Sequence, residues 1–326
     1  MNKNFWHNKN IFVTGASGFL GSWLIKELLS FGARITVIIR DYEAHSNFYQ
    51  FGFDKKVNIV NGDLINFLLL SRIFNEYEID TCFHLAAQPL VPTANRSPLS
   101  TFESNIRGTW NVLEAARKNP LKPKVVIASS DKAYGSSNNL PYTENQLLKG
   151  DYPYDVSKSC TDILAQSYYK TYKLPVTISR CGNFYGGGDT NWSRIVPGTF
   201  KSIIFNENPI IRSDGKLIRD YFFVKDVVSA YLALGEGMDD ESIHGEAFNF
   251  GTETPISVID LVNNMINISG KKNLKPEILG KNHGEILEQY LSSKKAYRVL
   301  GWSPKYSLEH GLIQSFEWYK DFFNKI

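Results

Sequence analysis

Tyr154 and Lys158 lie four residues apart, a spacing that places a phenol and an ammonium on one face of a helix. The positive charge of a neighbouring lysine favours the phenolate and lowers the pKa of the tyrosine. Moving that pKa from about 10 to near neutrality takes roughly 4 kcal/mol, which the ammonium and a further positive charge nearby can supply. The pair therefore predicts a tyrosine that exchanges protons.

Ser130, Asp131 and Lys132 bring a hydroxyl, a carboxyl and an amine together directly after a predicted strand at 125–129. Ligands of open α/β sheets bind beyond the carboxyl ends of the strands. A polar loop that opens with a serine turn is the plain structural alternative. Because the tyrosine and lysine pair follows the same strand, we interpret the three residues as part of one reactive site.

Gly15, Gly18 and Gly21 join a predicted strand at 11–14 to a predicted helix at 20–29. Glycines at such a junction allow a tight turn, a close approach of the backbone to a pyrophosphate, and close packing of the helix on the sheet. Free N–H groups at the start of the helix then face the phosphates. The spacing is GxxGxxG instead of the common GxGxxG, and we predict a dinucleotide site at this turn.

The choice between NAD and NADP depends on two neighbouring residues. Asp41 lies about 20 residues after the glycine turn, where a carboxylate that binds the adenosine ribose is expected. Arg40 beside it is suited to the 2′-phosphate of NADP. We expect NAD in preference to NADP. His84, after the fourth strand, is interpreted as a hydrogen-bonded structural residue. The predicted cofactor contacts are Gly15, Ser17, Gly18, Phe19, Leu20, Gly21, Arg40, Asp41, Asp63, Leu64, Leu85, Ala86, Ala87, Gln88, Tyr154 and Lys158.

The elements that must position these residues alternate along the first 180 residues. Short β-branched runs predict strands at 11–14, 35–39, 57–60, 81–85, 125–129 and 176–179, and apolar residues at helical spacing predict helices at 20–29, 68–77, 99–117 and 156–172. This alternation predicts an α/β fold with a doubly wound parallel sheet. After Arg180 a glycine-rich stretch, GNFYGGGDTNW, leads into mixed short strands and helices that end with a predicted helix at 308–323. We predict a dinucleotide-binding domain at 1–180 and an interleaved smaller substrate lobe at 181–326.

Composition restricts the partners and the compartment. The net charge is +3, with 36 Lys and Arg spread among 33 Asp and Glu, so we expect no nucleic acid partner. The polar start of the chain and the lack of a long apolar run predict a cytoplasmic protein with no membrane partner. Cys82, Cys160 and Cys181 are widely spaced and predict reduced thiols, with no metal site.

Several motifs occur in order along nearly the whole chain: TGASGFLG, HLAAQ, SSDKAYG, YDVSK, RCGNFYGGGD and RDYFFVKD. In these motifs the chain resembles the extended short-chain dehydrogenase/reductase family, and within it the CDP-glucose 4,6-dehydratases and related sugar-nucleotide 4,6-dehydratases. The resemblance implies a Rossmann-type fold, a nucleotide-diphosphosugar substrate and a 4-keto-6-deoxy sugar product. It also implies a place in glycan biosynthesis.

The resemblance implies roles for the reactive residues. Tyr154 would remove the proton of the sugar 4-hydroxyl while hydride leaves C4, Lys158 would hold the nicotinamide ribose, and Ser130 would bind the same hydroxyl. Asp131 would protonate the departing 6-hydroxyl. Many dehydratases have Asp-Glu where this chain has Asp131-Lys132, so Lys132, a water or Tyr154 remains as the base for the C5 proton.

The same resemblance implies how the substrate is bound. A loop at 186–189 would cover it, and Arg219 would meet the diphosphate as a bidentate donor, with a surface ion pair as the alternative. The implied substrate contacts are Gln88, Ser130, Asn183, Arg194 and Arg219. An arginine-rich segment of the dTDP-glucose enzymes corresponds to EILEQY at 285–290 here, so CDP, GDP and UDP all remain open. The implied homodimer would pack through the helices at 99–117 and 156–172.

Two other functions fit part of the pattern. A sugar-nucleotide 4-epimerase or 4-dehydrogenase would use Tyr154, Lys158 and Ser130 without an acid at 131. A dinucleotide-sensing protein without catalytic activity would keep the fold and lose the chemistry, since a fold alone does not establish a function.

Overall fold

The structure is a computed structural model that describes residues 2–281 and 286–325. Glu285, the first residue of the predicted EILEQY segment, lies outside the described residues. The strands are β1 Asn10–Thr14, β2 Arg34–Ile39, β3 Asn58–Asn61, β4 Thr81–His84, β5 Lys124–Ala128, β6 Val176–Cys181, β7 Asn183–Tyr185, β8 Ile210–Ile211, β9 Ile218–Phe223, β10 Ala247–Phe250, β11 Pro255–Ser257, β12 Glu277–Ile278 and β13 Glu288–Gln289. The α-helices are α1 Lys3–Trp6, α2 Phe19–Ser30, α3 Asn47–Gln50, α4 Phe67–Glu76, α5 Val91–Arg96, α6 Pro98–Phe102, α7 Gly108–Lys118, α8 Pro153–Tyr172, α9 Ile195–Ile204, α10 Val224–Gly237, α11 Val258–Ser269, α12 Lys294–Leu300 and α13 Leu308–Phe323.

The main sheet has seven parallel strands in the order β10-β6-β5-β4-β1-β2-β3. Strand order reverses on either side of β1, and the central strands are buried, as expected where helices cover both faces of a parallel sheet. The predicted doubly wound α/β fold is confirmed, and each of the six predicted strands corresponds to an observed strand within one or two residues.

The edge strand β10 comes from the part of the chain after residue 180. It pairs in parallel with β6, so that Phe250 lies opposite Cys181. The four residues of β10, AFNF, are all buried, and the sequence analysis had placed no strand there. The later part of the chain thus completes the first sheet, and the proposed division at residue 180 stays a prediction.

The predicted helix at 99–117 forms in three continuous parts. Between α6 and α7 the residues Glu103–Arg107 form one π-helical turn. The hydroxyls of Thr109 and Thr161 both donate to the main-chain oxygen of Asn105 within this turn, at 2.5 and 3.1 Å. Such single π turns inside α-helices are frequent at functional sites.

Beyond the main sheet, β9 lies between β11 and β13 and also pairs with β7. A separate two-stranded ladder joins β8 and β12. Large aromatic side chains such as Trp6, Phe200, Phe222 and Phe248 are fully buried, and they connect the main sheet with the helices of the later part of the chain. Within residues 2–281 and 286–325, no helix combines the length and apolar character that a membrane span requires.

Candidate active site

The glycine turn between β1 and α2 leaves room for a ligand against its backbone. Gly15 has a φ of +71°, and a Cβ on it would lie 2.8 Å from the amide nitrogen of Ala86. A Cβ on Gly21 would lie 2.1 Å from the main-chain oxygen of Gly15. Helix α2 has Gly18 as its N-cap residue, and in the described part of the chain no side chain accepts a hydrogen bond from the first N–H groups of the helix. These N–H groups are therefore available to an anion. These features fit the pyrophosphate of a dinucleotide.

Beside this turn, a buried chain of hydrogen bonds joins the carboxyl ends of β1 and β4. Thr14 Oγ1 lies 2.9 Å from His84 Nδ1 and accepts from the amides of Leu85 and Ala86, both at 3.1 Å. His84 Nε2 lies 3.0 Å from Thr109 Oγ1. Burial lowers the pKa of His84 to about 3, with a smaller contribution from the charge of Lys158. The histidine is therefore neutral and structural, as the sequence suggested.

The residues predicted to choose the cofactor form an exposed cluster. Arg40 Nε is 2.7 Å from Asp41 Oδ2, and one terminal nitrogen is 3.8 Å from Asp63 Oδ2. The hydrogen bond with Asp41 raises the pKa of Arg40. Because both carboxylates already neutralise this guanidinium, the cluster is better suited to a ribose hydroxyl than to a 2′-phosphate.

The other predicted cofactor residues lie around the same edge. Phe19 stacks on Phe184, with ring centroids 5.7 Å apart, and the main-chain oxygen of Ser17 accepts from Ser46. The remaining members of the set are Leu20, Leu64, Ala87 and Gln88, of which Leu20 and Leu64 are buried and the other two are half-buried.

Tyr154 and Lys158 are both in α8, which begins at Pro153, so the predicted one-face arrangement is present. Lys158 Nζ donates to the main-chain oxygen of Ala128 at 2.7 Å. Burial lowers the pKa of Lys158 to about 8. Burial also raises the pKa of Tyr154 to about 12, and a hydrogen bond with Ser130 opposes this change. In the protein alone, desolvation outweighs the contributions that lower the pKa of Tyr154, and the lowering expected beside Lys158 and a nicotinamide stays a prediction.

Ser130, Asp131 and Lys132 form a tight turn at the carboxyl end of β5. Ser130 Oγ donates to Asp131 Oδ1 at 3.0 Å and accepts from the Lys132 amide at 3.2 Å. Asp131 is only 3% exposed. Burial raises the pKa of its carboxyl, and the charges of Lys132 and Arg219 partly oppose this shift. The serine, the acid and Tyr154 are thus brought together as predicted.

Asp155 adds a second buried carboxyl beside Lys132. Burial raises the pKa of Asp155 to about 6, while the charge of Lys132 lowers it. Lys132 therefore lies within electrostatic reach of two carboxyls, Asp131 and Asp155.

Arg219 is buried, at 6% exposure, and its guanidinium donates to the main-chain oxygens of Ile218, Leu287 and Ile286 at 2.8, 3.1 and 2.5 Å. Its charge nevertheless reaches Asp131. A role at the diphosphate stays a prediction.

The remaining predicted substrate residues lie near the glycine-rich stretch. Asn183 is half-buried in β7, and Arg194 forms an ion pair with Asp189 at 2.9 Å. The hydroxyl of Tyr319, in α13, donates to the main-chain oxygens of Gly186 and Asp189 at 3.1 and 2.8 Å. The loop at 186–189 is therefore hydrogen-bonded to α13.

Two buried polar residues of the site were missed by the sequence analysis. Asn105, in the π turn, accepts from the Gln88 amide at 2.7 Å and donates to Ser157 Oγ at 2.9 Å, which joins the cofactor edge to α8. Gln289, in β13, donates to the main-chain oxygen of Asp131 at 3.2 Å. A polar residue on the buried face of a helix was the available signal for Asn105, and the sequence carries no comparable signal for Gln289.

Comparison with known proteins identifies the family. Residues 12–314 match the family model described as GDP-mannose 4,6 dehydratase, and the chain belongs to this family, within the extended short-chain dehydrogenases/reductases. The chain is 30% identical to the CDP-glucose 4,6-dehydratase of Salmonella typhimurium over 98% of its own length and 93% of that protein.

Solved structures agree with this family and include more than one activity. A dTDP-glucose 4,6-dehydratase from Bacillus anthracis, in complex with NAD, matches with a TM-score of 0.84 and 26% identity over 96% of this chain and 97% of that one. A UDP-glucose 4-epimerase from Thermotoga maritima, with UDP-glucose, matches with a TM-score of 0.87 and 28% identity over 96% and 99%. The family establishes an enzyme of the sugar-nucleotide dehydratase and epimerase type.

Proposed function

We propose that this protein is an NAD-dependent nucleotide-diphosphosugar 4,6-dehydratase. One observation carries the proposal: Asp131 is a buried carboxyl in the turn that Ser130 opens, near Tyr154, the residue assigned to oxidation of the sugar. Burial raises the pKa of this carboxyl. Oxidation at C4 alone needs no such acid. A buried carboxylic acid is the group that the loss of the 6-hydroxyl requires.

NAD fits the glycine turn and the exposed cluster of Arg40, Asp41 and Asp63. In this proposal the turn at 15–21 holds the pyrophosphate through main-chain N–H groups, and Asp41 binds the adenosine ribose. The NAD complex of the related Bacillus anthracis enzyme supports the same cofactor. When bound, the nicotinamide supplies a store of hydride that is filled and emptied once in each cycle.

Oxidation at C4 is assigned to α8 and the turn after β5. Tyr154 takes the proton of the 4-hydroxyl, and Ser130, which is hydrogen-bonded to the phenol, holds that hydroxyl in place. Because burial raises the pKa of Tyr154, positive charge at Lys158 and at the nicotinamide must favour the phenolate during this step. The product of the step is a 4-keto sugar with an acidic C5 proton.

Elimination follows across C5 and C6. The C5–H and C6–O bonds break, a C5–C6 double bond forms, and Asp131 gives its proton to the departing hydroxyl, which leaves as water. Lys132, a water or Tyr154 would remove the C5 proton, and Lys132 must be uncharged to act as this base. Return of hydride to C6 and of a proton to C5 gives a 4-keto-6-deoxy sugar.

A 4-epimerase or 4-dehydrogenase is the second candidate. The Thermotoga maritima 4-epimerase has the same overall fold, and Tyr154, Lys158 and Ser130 are sufficient for oxidation at C4. The burial and raised pKa of Asp131 favour the dehydratase, since neither alternative protonates a leaving hydroxyl.

We further propose a homodimer that packs through α6, α7 and α8. Each of these helices exposes large apolar side chains, including Leu99, Trp110, Ile163 and Tyr172. Contiguous apolar patches on a protein surface mark interaction sites, and the proposal assigns these side chains to one such patch. Light scattering after size exclusion should give twice the chain mass of 37.0 kDa, and a mass of 37.0 kDa would contradict the dimer.

Incubation with a panel of nucleotide-diphosphosugars tests the function. Each reaction contains purified protein and NAD and is read by mass spectrometry. A dehydratase gives a product lighter by one water, a 4-dehydrogenase gives a loss of two hydrogens, and a 4-epimerase leaves the mass unchanged. Loss of two hydrogens, or epimerisation, from every accepted substrate would refute the proposal.

A further inference from the structure

Two buried side-chain oxygens of the site have no hydrogen-bond partner among the residues that the structure describes: Asp131 Oδ2 and Gln289 Oε1. Gln289 is 1% exposed, and its Nε2 donates to the main-chain oxygen of Asp131 at 3.2 Å. Because a carbonyl oxygen can only accept, this bond requires the amide nitrogen of Gln289 to face Asp131. The orientation of the amide is thereby fixed, and its oxygen is the atom left without a partner.

The position of Gln289 is set by strand pairing and not by the chain near Asp131. Gln289 lies opposite Arg219 in the parallel pair β13 and β9, and the two residues Asp131 and Gln289 are 158 positions apart. The next residue, Tyr290, accepts the amide of Tyr142 through its main-chain oxygen at 2.9 Å. The side chain of Gln289 therefore reaches Asp131 from a paired strand.

Both unpartnered atoms are acceptors when the carboxyl is ionised, and leaving each of them buried and unpaired costs free energy. The amide of Gln289 lies against residue Asp131, with its nitrogen 3.2 Å from the main-chain oxygen of that residue. A protonated Oδ2 would be a donor for which the amide oxygen is an acceptor, so one proton would supply both missing partners. Asp131 Oδ1 already has a donor in Ser130 at 3.0 Å.

We propose that Gln289 is a positioning residue for the acid, which accepts the hydrogen bond of protonated Asp131 and keeps this carboxyl neutral until the 6-hydroxyl leaves. The proposal rests on the proposed dehydratase function for the use of that proton. An amide suits this task, because it accepts the hydrogen bond without competing for the proton as a second carboxylate would.

Charged groups around Asp131 have opposite effects on the protonation of its carboxyl. Lys132 and Arg219 favour the ionised form, whereas burial favours the neutral form. Asp155 and Asp220 add negative charge on α8 and β9, which also favours the neutral form. The groups that face Asp131 from the surrounding elements are Lys132, Tyr142, Tyr154, Asp155, Cys181, Arg219 and Asp220.

The substitutions Gln289→Met and Gln289→Glu test the proposal in opposite directions. Met has a similar length and only a weak sulfur acceptor. The alkaline limb of the pH profile for water loss should therefore move down by about one pH unit, which means a tenfold loss of rate above that limb. Glu adds a like charge, and the limb should stay or move up. In Gln289→Met the appearance of reduced nicotinamide in a single turnover should change much less than water loss, because oxidation does not use the proton of Asp131.

A measurement without substrate separates this proposal from the proposed function. The carboxylic acid band of Asp131 is followed by infrared difference titration and assigned by its loss in Asp131→Asn. We expect Gln289→Met to lower the midpoint of this band by about one pH unit. An unchanged midpoint in Gln289→Met, or equal slowing of both half-reactions at every pH, would show that Gln289 is only a structural residue.

Two further outcomes are decided by the same data. If wild type releases no water from any nucleotide-sugar, the proposed function fails, and the infrared midpoint still decides the role of Gln289. If Gln289→Met does not fold, as judged by a lost thermal transition, Gln289→Leu, which also lacks the amide oxygen, is titrated in its place. An unchanged infrared midpoint in that variant would overturn the proposal.

Discussion

The glycine turn and the turn that carries the acid lie at the same edge of one sheet, but they are built in different ways. The glycine turn uses main-chain atoms from a seven-residue segment at 15–21 and from the neighbouring residues Leu85 and Ala86. The acid turn uses side chains from the residues after β5 and from α8, β9 and β13, which are far apart in the chain.

This difference explains what each region can tolerate. A site made from backbone depends on the absence of side chains, so an added methyl group is enough to damage it. A site made from side chains depends on burial and on charge balance, so its parts can be removed one at a time. Oxidation and elimination should therefore separate under mutation, whereas cofactor binding should fail as a unit.

Tyr154→Phe should give the largest effect. Loss of the phenolic hydroxyl should reduce hydride transfer by about 10²–10⁴-fold, because a general acid or base contributes that much to a rate. NAD affinity, measured by calorimetry, should change less than about threefold, since the glycine turn is untouched. A variant that keeps more than about a tenth of wild-type turnover would contradict the role of this tyrosine.

Gly21→Ala should mainly affect the cofactor. The added Cβ would lie 2.1 Å from the main-chain oxygen of Gly15, so the turn must shift away from the phosphates. We expect NAD affinity to fall by about 10–100-fold, which corresponds to one charge-assisted hydrogen bond of about 1.5–3 kcal/mol.

Gly182→Ala is the matched control, because its Cβ would meet the Asp220 carbonyl oxygen at an ordinary 3.6 Å. This variant should bind NAD as wild type does. Equal losses of NAD affinity in both variants would show that the effect is not specific to the turn.

Asp41→Asn should give the smallest effect and tests the choice of cofactor. Replacing the carboxylate should weaken NAD binding by about tenfold, through loss of one hydrogen bond from a ribose hydroxyl to a charged group. Affinity for NADP should rise relative to NAD, because Arg40 loses its 2.7 Å partner. Arg40→Gln is the control and should lower NADP affinity alone. Stronger NAD binding by Asp41→Asn than by wild type would contradict the assignment.

Much of the fold could be predicted from the sequence. The helix at 308–323 was predicted with its observed bounds, and the six β-branched runs of the first 180 residues marked their strands because local pattern and buried position agree there. Strand β10 was missed, since four residues between loops carry too little pattern, and only pairing with β6 makes them a strand.

The site could be predicted to a smaller extent. The spacing of Tyr154 and Lys158 is local and was recognised, but the sequence could not show that burial would raise the tyrosine pKa to about 12. Arg219 is buried and its guanidinium donates to three main-chain oxygens, contacts that the sequence did not predict. Gln289 was missed because a contact across 158 residues leaves no local pattern.

The central claim is that Asp131 serves elimination and not oxidation. Rapid mixing of Asp131→Asn with NAD and an accepted nucleotide-sugar tests it most directly, with absorbance reporting reduced nicotinamide and quenched samples reporting water loss. We predict that reduced nicotinamide appears at close to the wild-type rate and accumulates, while water loss slows by about two orders of magnitude or more. Water loss at the wild-type rate, or no reduced nicotinamide at all, would contradict the account.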